Sequence, residues 1–204
     1  MEGLKARARA GQIALLFEDE VDLNLLPGVI RCWTRVGEQR KVPTPGVNQK
    51  RYGFGALDYV SGTLLTHFAE HKDGVGFSAL IDAVVERYCS SDIGRDQKVV
   101  LVLDNYGVHR SKRSQAIFAK YADRLEVFHL PTYSPKLNLI ELIWKQLRAN
   151  VTHNHLFKSI DALLTAVRQF LGDLALNPTK TLSIIGNPPT KLPSPTPYHL
   201  CSTT

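Results

Sequence analysis

A chain of 204 residues, 44% hydrophobic and 22% charged, has the make-up of one soluble domain with a sizeable core. No apolar run approaches the roughly 18 residues of a bilayer span, the basic stretch Met1–Gly11 leads into too few apolar residues for a signal peptide, and Cys32, Cys89 and Cys201 lie too far apart for a disulfide framework or a Cys-x-x-Cys metal knuckle, which suits a reducing cytoplasm. Lys and Arg number 25 against 19 Asp and Glu, and the net +6 is compatible with a polyanionic partner.

Ile13–Phe17 is apolar on both faces and too short for an ordinary helix, so it reads as a buried strand. It runs into Glu18, Asp19, Glu20 and Asp22, four carboxylates in five residues. From Leu23 to Lys50 the periodicity disappears among Pro27, Gly28, Gly37, Pro43, Pro45 and Gly46, with Ile30–Val36 as a candidate hairpin strand. Tyr52–Tyr59 and Gly62–Phe68 read as two strands joined by a turn at Ser61-Gly62. A helical stripe follows in Phe77–Tyr88, then an apolar strand, Val99–Leu103, that ends in Asp104-Asn105. Ser111–Tyr121 reads as a basic amphipathic helix and Leu125–Leu130 as a strand. Beyond a rigid turn, Pro131–Pro135, a helix is expected over Leu137–Val151, with Ser134 and Pro135 as start signals. The last helix covers about Ile160–Leu171, capped by Ser159. After Asn177 the Pro-rich composition lacks a packing pattern and predicts disorder. Three consecutive strands followed by alternating helices and strands predict an α/β fold, a mixed sheet covered by helices.

In open α/β sheets, reactive groups gather outside the carboxyl ends of the strands. Asp19 and Asp104 both stand where an apolar strand emerges, although a strand-terminal Asp equally serves to cap a turn. Glu141 sits one helical turn from Leu137 and one from Trp144, at the border of an apolar stripe, where a carboxylate needs a partner. Lys145 or Arg148 on the same helix would satisfy it, and so would a divalent cation shared with Asp19 and Asp104. Three carboxylates without a His or Cys cluster suit Mg2+ or Mn2+ and not zinc. Two such ions about 3.5–4 Å apart can stabilise both the attacking and the leaving oxygen of a phosphoryl transfer.

At these residues the chain resembles mariner-like transposases and their bacterial relatives, the insertion-sequence six-thirty family. The resemblance is carried by Phe17-Glu18-Asp19-Glu20, by Val102-Leu103-Asp104-Asn105 with His109, and by Leu130-Pro131-Thr132-Tyr133-Ser134-Pro135-Lys136-Leu137-Asn138-Leu139-Ile140-Glu141. Asp104 and Glu141 are separated by 36 residues, near the family's spacing, and Trp33 and Gly37 fit its pattern. The resemblance implies an RNase H-like fold in which Asp19, Asp104 and Glu141 hold two Mg2+ or Mn2+ ions. DNA would be nicked at element ends and the freed 3′-hydroxyl joined to target DNA, without a covalent protein–DNA intermediate. Asn105, His109 and Asn138 would support the metal ligands or orient substrate, and Glu20 would support or replace the first acid. Leu139 departs from the family, where Pro is common.

On that reading residues 1–12 are a basic N-terminal arm, 13–176 the RNase H-like catalytic domain with an insert at about 23–50, and 177–204 a disordered tail. The family's N-terminal helix-turn-helix modules are not expected in so short a lead, so end recognition would be missing or supplied by a separate chain. A homodimer and a bacterial, nucleoid-associated location are also implied. The insert concentrates Arg31, Arg35, Arg40, Lys41, Lys50 and Arg51 against the single acid Glu38. It reads either as a solvated loop with Trp33 packed on the core, or as an extension in which Arg31, Trp33, Arg35, Arg40 and Lys41 contact DNA or clamp a partner subunit. A nuclease of the same fold without strand transfer, and a silent DNA- or partner-binding remnant, remain the alternatives.

Overall fold

The computed structural model describes residues 1–39, 41–89, 98–132 and 134–187. Arg40, Tyr133 and the tail from Pro188, with Cys201, lie outside the described residues.

The sheet contains β1 (Ala14–Asn24), β2 (Lys50–Asp58), β3 (Leu64–Ala69), β4 (Val99–Leu103) and β5 (Leu125–His129). Their spatial order is β3-β2-β1-β4-β5, with β1, β2 and β3 antiparallel and β1, β4 and β5 parallel. The helices are α1 (Glu2–Arg9), α2 (Gly74–Cys89), α3 (Lys112–Lys120), α4 (Ile140–Leu147), α5 (Ile160–Ala175) and α6 (Pro178–Ile184). This is the expected mixed sheet flanked by helices. No helix among the described residues is long and apolar enough to cross a membrane.

Alternation along the strands splits the core in two. Leu15, Phe17, Val21 and Leu23 of β1 join Val100 and Val102 of β4 beneath α4, α5 and α6. Ala14 and Leu16 join Val99, Leu101 and Leu103 beneath α2 and α3. Burying these residues from both sides at about 25 cal/mol per Å2 is the main source of stability.

β1 is twice the length expected. It does not stop at Phe17 but continues through the carboxylates to Asn24, paired with β2 from Leu16↔Asp58 to Asn24↔Lys50. Its other edge is covered by β4 only as far as Phe17↔Val102. Asp19 therefore lies in mid-strand, at the point where a neighbouring strand has ended, and not beyond a strand end.

In four further places the structure adds to or alters what was expected. Within the basic arm of residues 1–12, α1 lies on β1, with Ala8 buried and Met1 and Leu4 packed on the core. Residues 178–184 are helical, because Pro178 takes the first turn, where its missing N–H costs nothing, and Asn177 accepts the Lys180 N–H. Thr181, Leu182 and Ile185 are buried, and the turn at Gly62, in the left-handed region, approaches the Pro178 carbonyl so closely that a Cβ would stand 2.6 Å from it. Ile30–Val36 forms no strand, and among the described residues the insert instead makes one isolated bridge, Gly28↔His153. The expected Leu137–Val151 helix is a 3-10 turn (Pro135–Leu137), then α4, then a π-helical turn (Arg148–Thr152).

Candidate active site

Strand pleat decides which carboxylates meet. Asp19 shares the face of Phe17 and Val21 and so looks toward α4, whereas Glu18 and Glu20 look toward α2. Directly across the sheet from Asp19 is Gly55. A Cβ at Gly55 would stand 2.7 Å from the Trp144 ring and 2.9 Å from Ile140, so the glycine lets α4 lie close on the sheet at the level of Asp19. Asn138, just before α4, donates its amide to the Glu18 carbonyl at 2.7 Å in the buried interior. These two contacts place Glu141, in the first turn of α4, over Asp19.

Asp19, Asp104 and Glu141 line one cleft of about 360 Å3, with Asn105 and Asn138 beside them and Pro131 in its wall. Five of the seven residues expected at the site are thus brought together. Glu20 and His109 are not in this cleft. The pleat turns Glu20 away from Asp19, so it cannot replace that acid.

The acids differ sharply in environment. Burial, then the nearby Glu141 carboxylate, pushes Asp19 up to about 8. The His109 hydrogen bond, Nε2 to Asp104 Oδ1 at 3.2 Å, holds Asp104 below the usual carboxylate range. Asp104 also accepts the Tyr106 N–H at 2.8 Å, so the turn-capping role weighed from sequence is present alongside the cleft position. Glu141 takes the local partner too: Arg148 reaches its Oε2 at 3.3 Å. Asn105 bridges the ends of β4 and β5, donating to the Leu130 carbonyl at 2.7 Å and accepting from Arg110 at 3.1 Å.

Behind the cleft, Glu18, Glu20 and His109 are each less than a tenth exposed. Their ligand atoms all lie within 4.8 Å of one another. Burial and three neighbouring carboxylates, Glu20, Asp19 and Asp104 in that order, push Glu18 well up. Lys72, 3.9 Å from Glu20 and 3.3 Å from Asp22, supplies partial compensation. Sequence reading missed Glu18 and Lys72. For Glu18 the signal was available, since Val21 and Leu23 keep the phase of Leu15 and Phe17 and so place Glu18 on the opposite buried face.

The insert is exposed almost throughout, and Trp33 is fully exposed, which excludes its packing on the core. Its base is pinned to the segment after α4: the Ile30 N–H donates to Asn154 Oδ1 at 3.0 Å and the Asn154 N–H to the Gly28 carbonyl at 2.9 Å. Arg31, Arg35 and Lys41 are exposed on it.

A sequence model for the DDE superfamily endonuclease family matches residues 14–164, a span that contains all three cleft acids. The chain belongs to the DDE endonuclease superfamily. This DDE chain is 33% identical over 157 residues to the insertion element IS630 39 kDa protein of Shigella sonnei, covering 77% of the chain but 44% of that protein. It therefore spans less than half the length of that relative. Its fold is similar to the catalytic domain of Mos1 mariner transposase, with a TM-score of 0.53 at 12% identity, covering 91% of this chain and 89% of that one. It is also similar to the Mos1 chain in a paired-end complex with Mg, with a TM-score of 0.63 at 15% identity, covering 92% of this chain and 56% of that one. The shared fold is the RNase H-like sheet expected from sequence.

The DDE cleft suits a hard dication. Its donors are carboxylate oxygens, and the Glu141 and Asp104 carboxylates that add to burial in raising Asp19 place negative charge there that a cation would neutralise.

Proposed function

We propose that this chain is the catalytic domain of a transposase that cuts DNA and joins the freed 3′ end to target DNA. Asp19, Asp104 and Glu141 would hold two Mg2+ or Mn2+ ions, which supply activation of the attacking oxygen and charge neutralisation at the phosphate. The observation that carries this reading is the convergence of three carboxylates, from β1, β4 and α4, on one cleft in a chain whose family model spans all of them.

The chain's own residues prepare that chemistry in distinct ways. Asp104 is kept ionised and oriented by His109 and the Tyr106 N–H. Glu141 is steadied by Arg148, and Asn138 and Gly55 fix its height above Asp19. In the cutting step, water oxygen bonds to phosphorus and the 3′-oxygen leaves, giving a 3′-hydroxyl and a 5′-phosphate. In the joining step, that 3′-hydroxyl bonds to a target phosphorus and displaces the target's own 3′-oxygen, so no high-energy cofactor is consumed. The basic insert would contact DNA phosphates or clamp a second copy in a homodimer.

The test is a Mg2+- or Mn2+-dependent assay on supercoiled DNA and on pre-cut ends, comparing wild type with Asp19→Asn, Asp104→Asn and Glu141→Gln. Wild type should nick and join, and each variant should fall at least about a hundredfold, the scale on which loss of one well-placed electrostatic group costs a rate. Equal activity in all four proteins would sink the site. Nicking without joining would reduce the reading to a nuclease of the same fold.

A further inference from the structure

Of the ionisable groups, those on the far side of β1 from the cleft pose a separate problem. Glu18 is fully buried, and neither of its carboxylate oxygens has a hydrogen-bond partner. Glu20 Oε1 and His109 Nδ1 are buried without a partner as well. An unpaired buried carboxylate costs several kcal/mol, and native proteins rarely leave one unresolved. Lys72 pairs with Glu20 and Asp22, and although its charge pulls Glu18 down, it is the last of the influences on Glu18 and leaves both of its oxygens without a hydrogen bond.

The spacing of the three groups is informative. His109 Nε2 stands 3.7 Å from Glu18 Oε2 and 3.9 Å from Glu20 Oε1. Both are too long for good hydrogen bonds, which centre near 2.9 Å. Both are close to the edge of a tetrahedron around an ion with bonds of about 2.0–2.1 Å, where ligand atoms lie roughly 3.3–3.5 Å apart. A few tenths of an ångström of side-chain movement would bring both imidazole–carboxylate pairs to that spacing.

We propose that Glu18, Glu20 and His109 form a buried structural site for one transition-metal dication, with Zn2+ the ion that fits best. One imidazole nitrogen and two carboxylate oxygens match the zinc donor set. Mg2+ is disfavoured, because it prefers all-oxygen ligands and gives up its waters reluctantly, whereas these three donors are buried and one is a nitrogen. The ion would tie mid-β1 to the turn after β4, holding the backbones that carry Asp19 and Asp104. It would also draw His109 Nε2 away from Asp104 Oδ1, now 3.2 Å off, coupling the buried site to the cleft. Since all three donors are almost inaccessible, the ion would enter as the chain folds.

The test uses no activity, so its failure would leave the reading of the cleft standing. The full chain carrying Asp19→Asn and Glu141→Gln, which disables metal binding in the cleft, is refolded with excess Zn2+, dialysed, and assayed for bound metal and thermal midpoint. One Zn2+ per chain and a midpoint raised by several degrees over the EDTA-treated protein are expected, with no such shift from Mg2+. Adding Glu18→Gln or Glu20→Gln should each weaken Zn2+ binding at least tenfold. Because Gln relieves a buried charge, these variants should still fold, which far-ultraviolet circular dichroism of the metal-free proteins checks. Co2+ in place of Zn2+ should give visible absorption bands of a low-coordinate site, absent from both Gln variants. The proposal is overturned by a chain that retains no Zn2+, which would mean that the buried carboxyls are simply protonated, or by Zn2+ retention that either Gln variant leaves unchanged.

Discussion

Asp19 is a carboxyl whose proton is held to about pH 8 by burial and by Glu141. Its folded value lies above the ordinary 3.8, so the folded state binds this proton more tightly than the unfolded chain. The resulting stabilisation is complete below about pH 4 and is lost as pH rises toward 8. Glu18 and Glu20, also raised, act in the same direction. Asp104, lowered, acts oppositely and only at acid pH. In EDTA, wild type should therefore lose stability between pH 5 and pH 8, and Asp19→Asn should remove part of that slope. Urea melts at the two pH values should show the variant more stable at pH 8 by more than about 1 kcal/mol, with the gap shrinking at pH 5. A divalent cation should reverse the order at pH 8 by stabilising wild type alone. A variant with the same pH slope as wild type would mean that Asp19 is not confined as described. The three cleft acids were legible in the sequence because each stands in a motif with recognisable neighbours. The environment of Asp19 was not, since it depends on residues 36 and 122 positions away in the chain, Gly55 and Glu141, and on a helix packed closely over the strand.

At the level of elements, the decisive contact is α4 on β1 and β2. Gly55 is required there for close approach and not for backbone freedom. Gly55→Ala should drive its new methyl into Trp144 and Ile140, costing about 1–3 kcal/mol as overpacking does. It should also lift Glu141 from Asp19, so that metal-dependent cutting falls more than stability does. Comparing urea midpoints with cutting rates checks both. Loss of stability with unchanged rates would show that α4 can move without disturbing the acids. The apolar strands and the amphipathic helices α2 and α5 were readable from periodicity alone. The outer half of β1 was not, because four carboxylates look like the end of a buried strand. What outweighs them is continued pairing with β2 and the in-phase Val21 and Leu23. α6 escaped notice for a similar reason: proline-rich composition suggested disorder, while Pro178 in fact opens a helix whose Leu182 and Ile185 are buried against the core.

Across the whole molecule, the net charge of +6 is unevenly placed. Five carboxylates, Glu18, Asp19, Glu20, Asp104 and Glu141, lie in or behind the cleft, while six basic residues stand against one acid between Arg31 and Arg51. The insert packs little against the rest of the chain, yet both ends are tied down. Leu25 donates to the Gln49 carbonyl at 2.9 Å, Leu26 donates to Asn48 Oδ1 at 3.2 Å, and Gly28 and Ile30 are held to Asn154. On the proposed function, this basic, solvent-exposed loop, anchored to the segment that follows α4, would contact DNA phosphates. Repulsion between DNA and the acids would otherwise oppose binding, and the positive insert would offset the cleft's own charge. Every phosphate that a basic side chain no longer neutralises should reduce the slope of log affinity against log salt by about 0.9. Replacing Arg31, Arg35 and Lys41 by Ala should therefore flatten the slope by about two to three and weaken binding most at low salt. Fluorescence anisotropy on a short duplex over a series of salt concentrations gives the slope directly, in Ca2+ or EDTA so that nothing is cut. A slope unchanged in the triple variant would remove the insert from the DNA path. Trp33→Ala separates the two roles proposed for the loop: a stacking or groove contact should lower affinity with the salt slope intact, whereas a clamp on a second copy should shift the sedimentation of the protein–DNA complex instead.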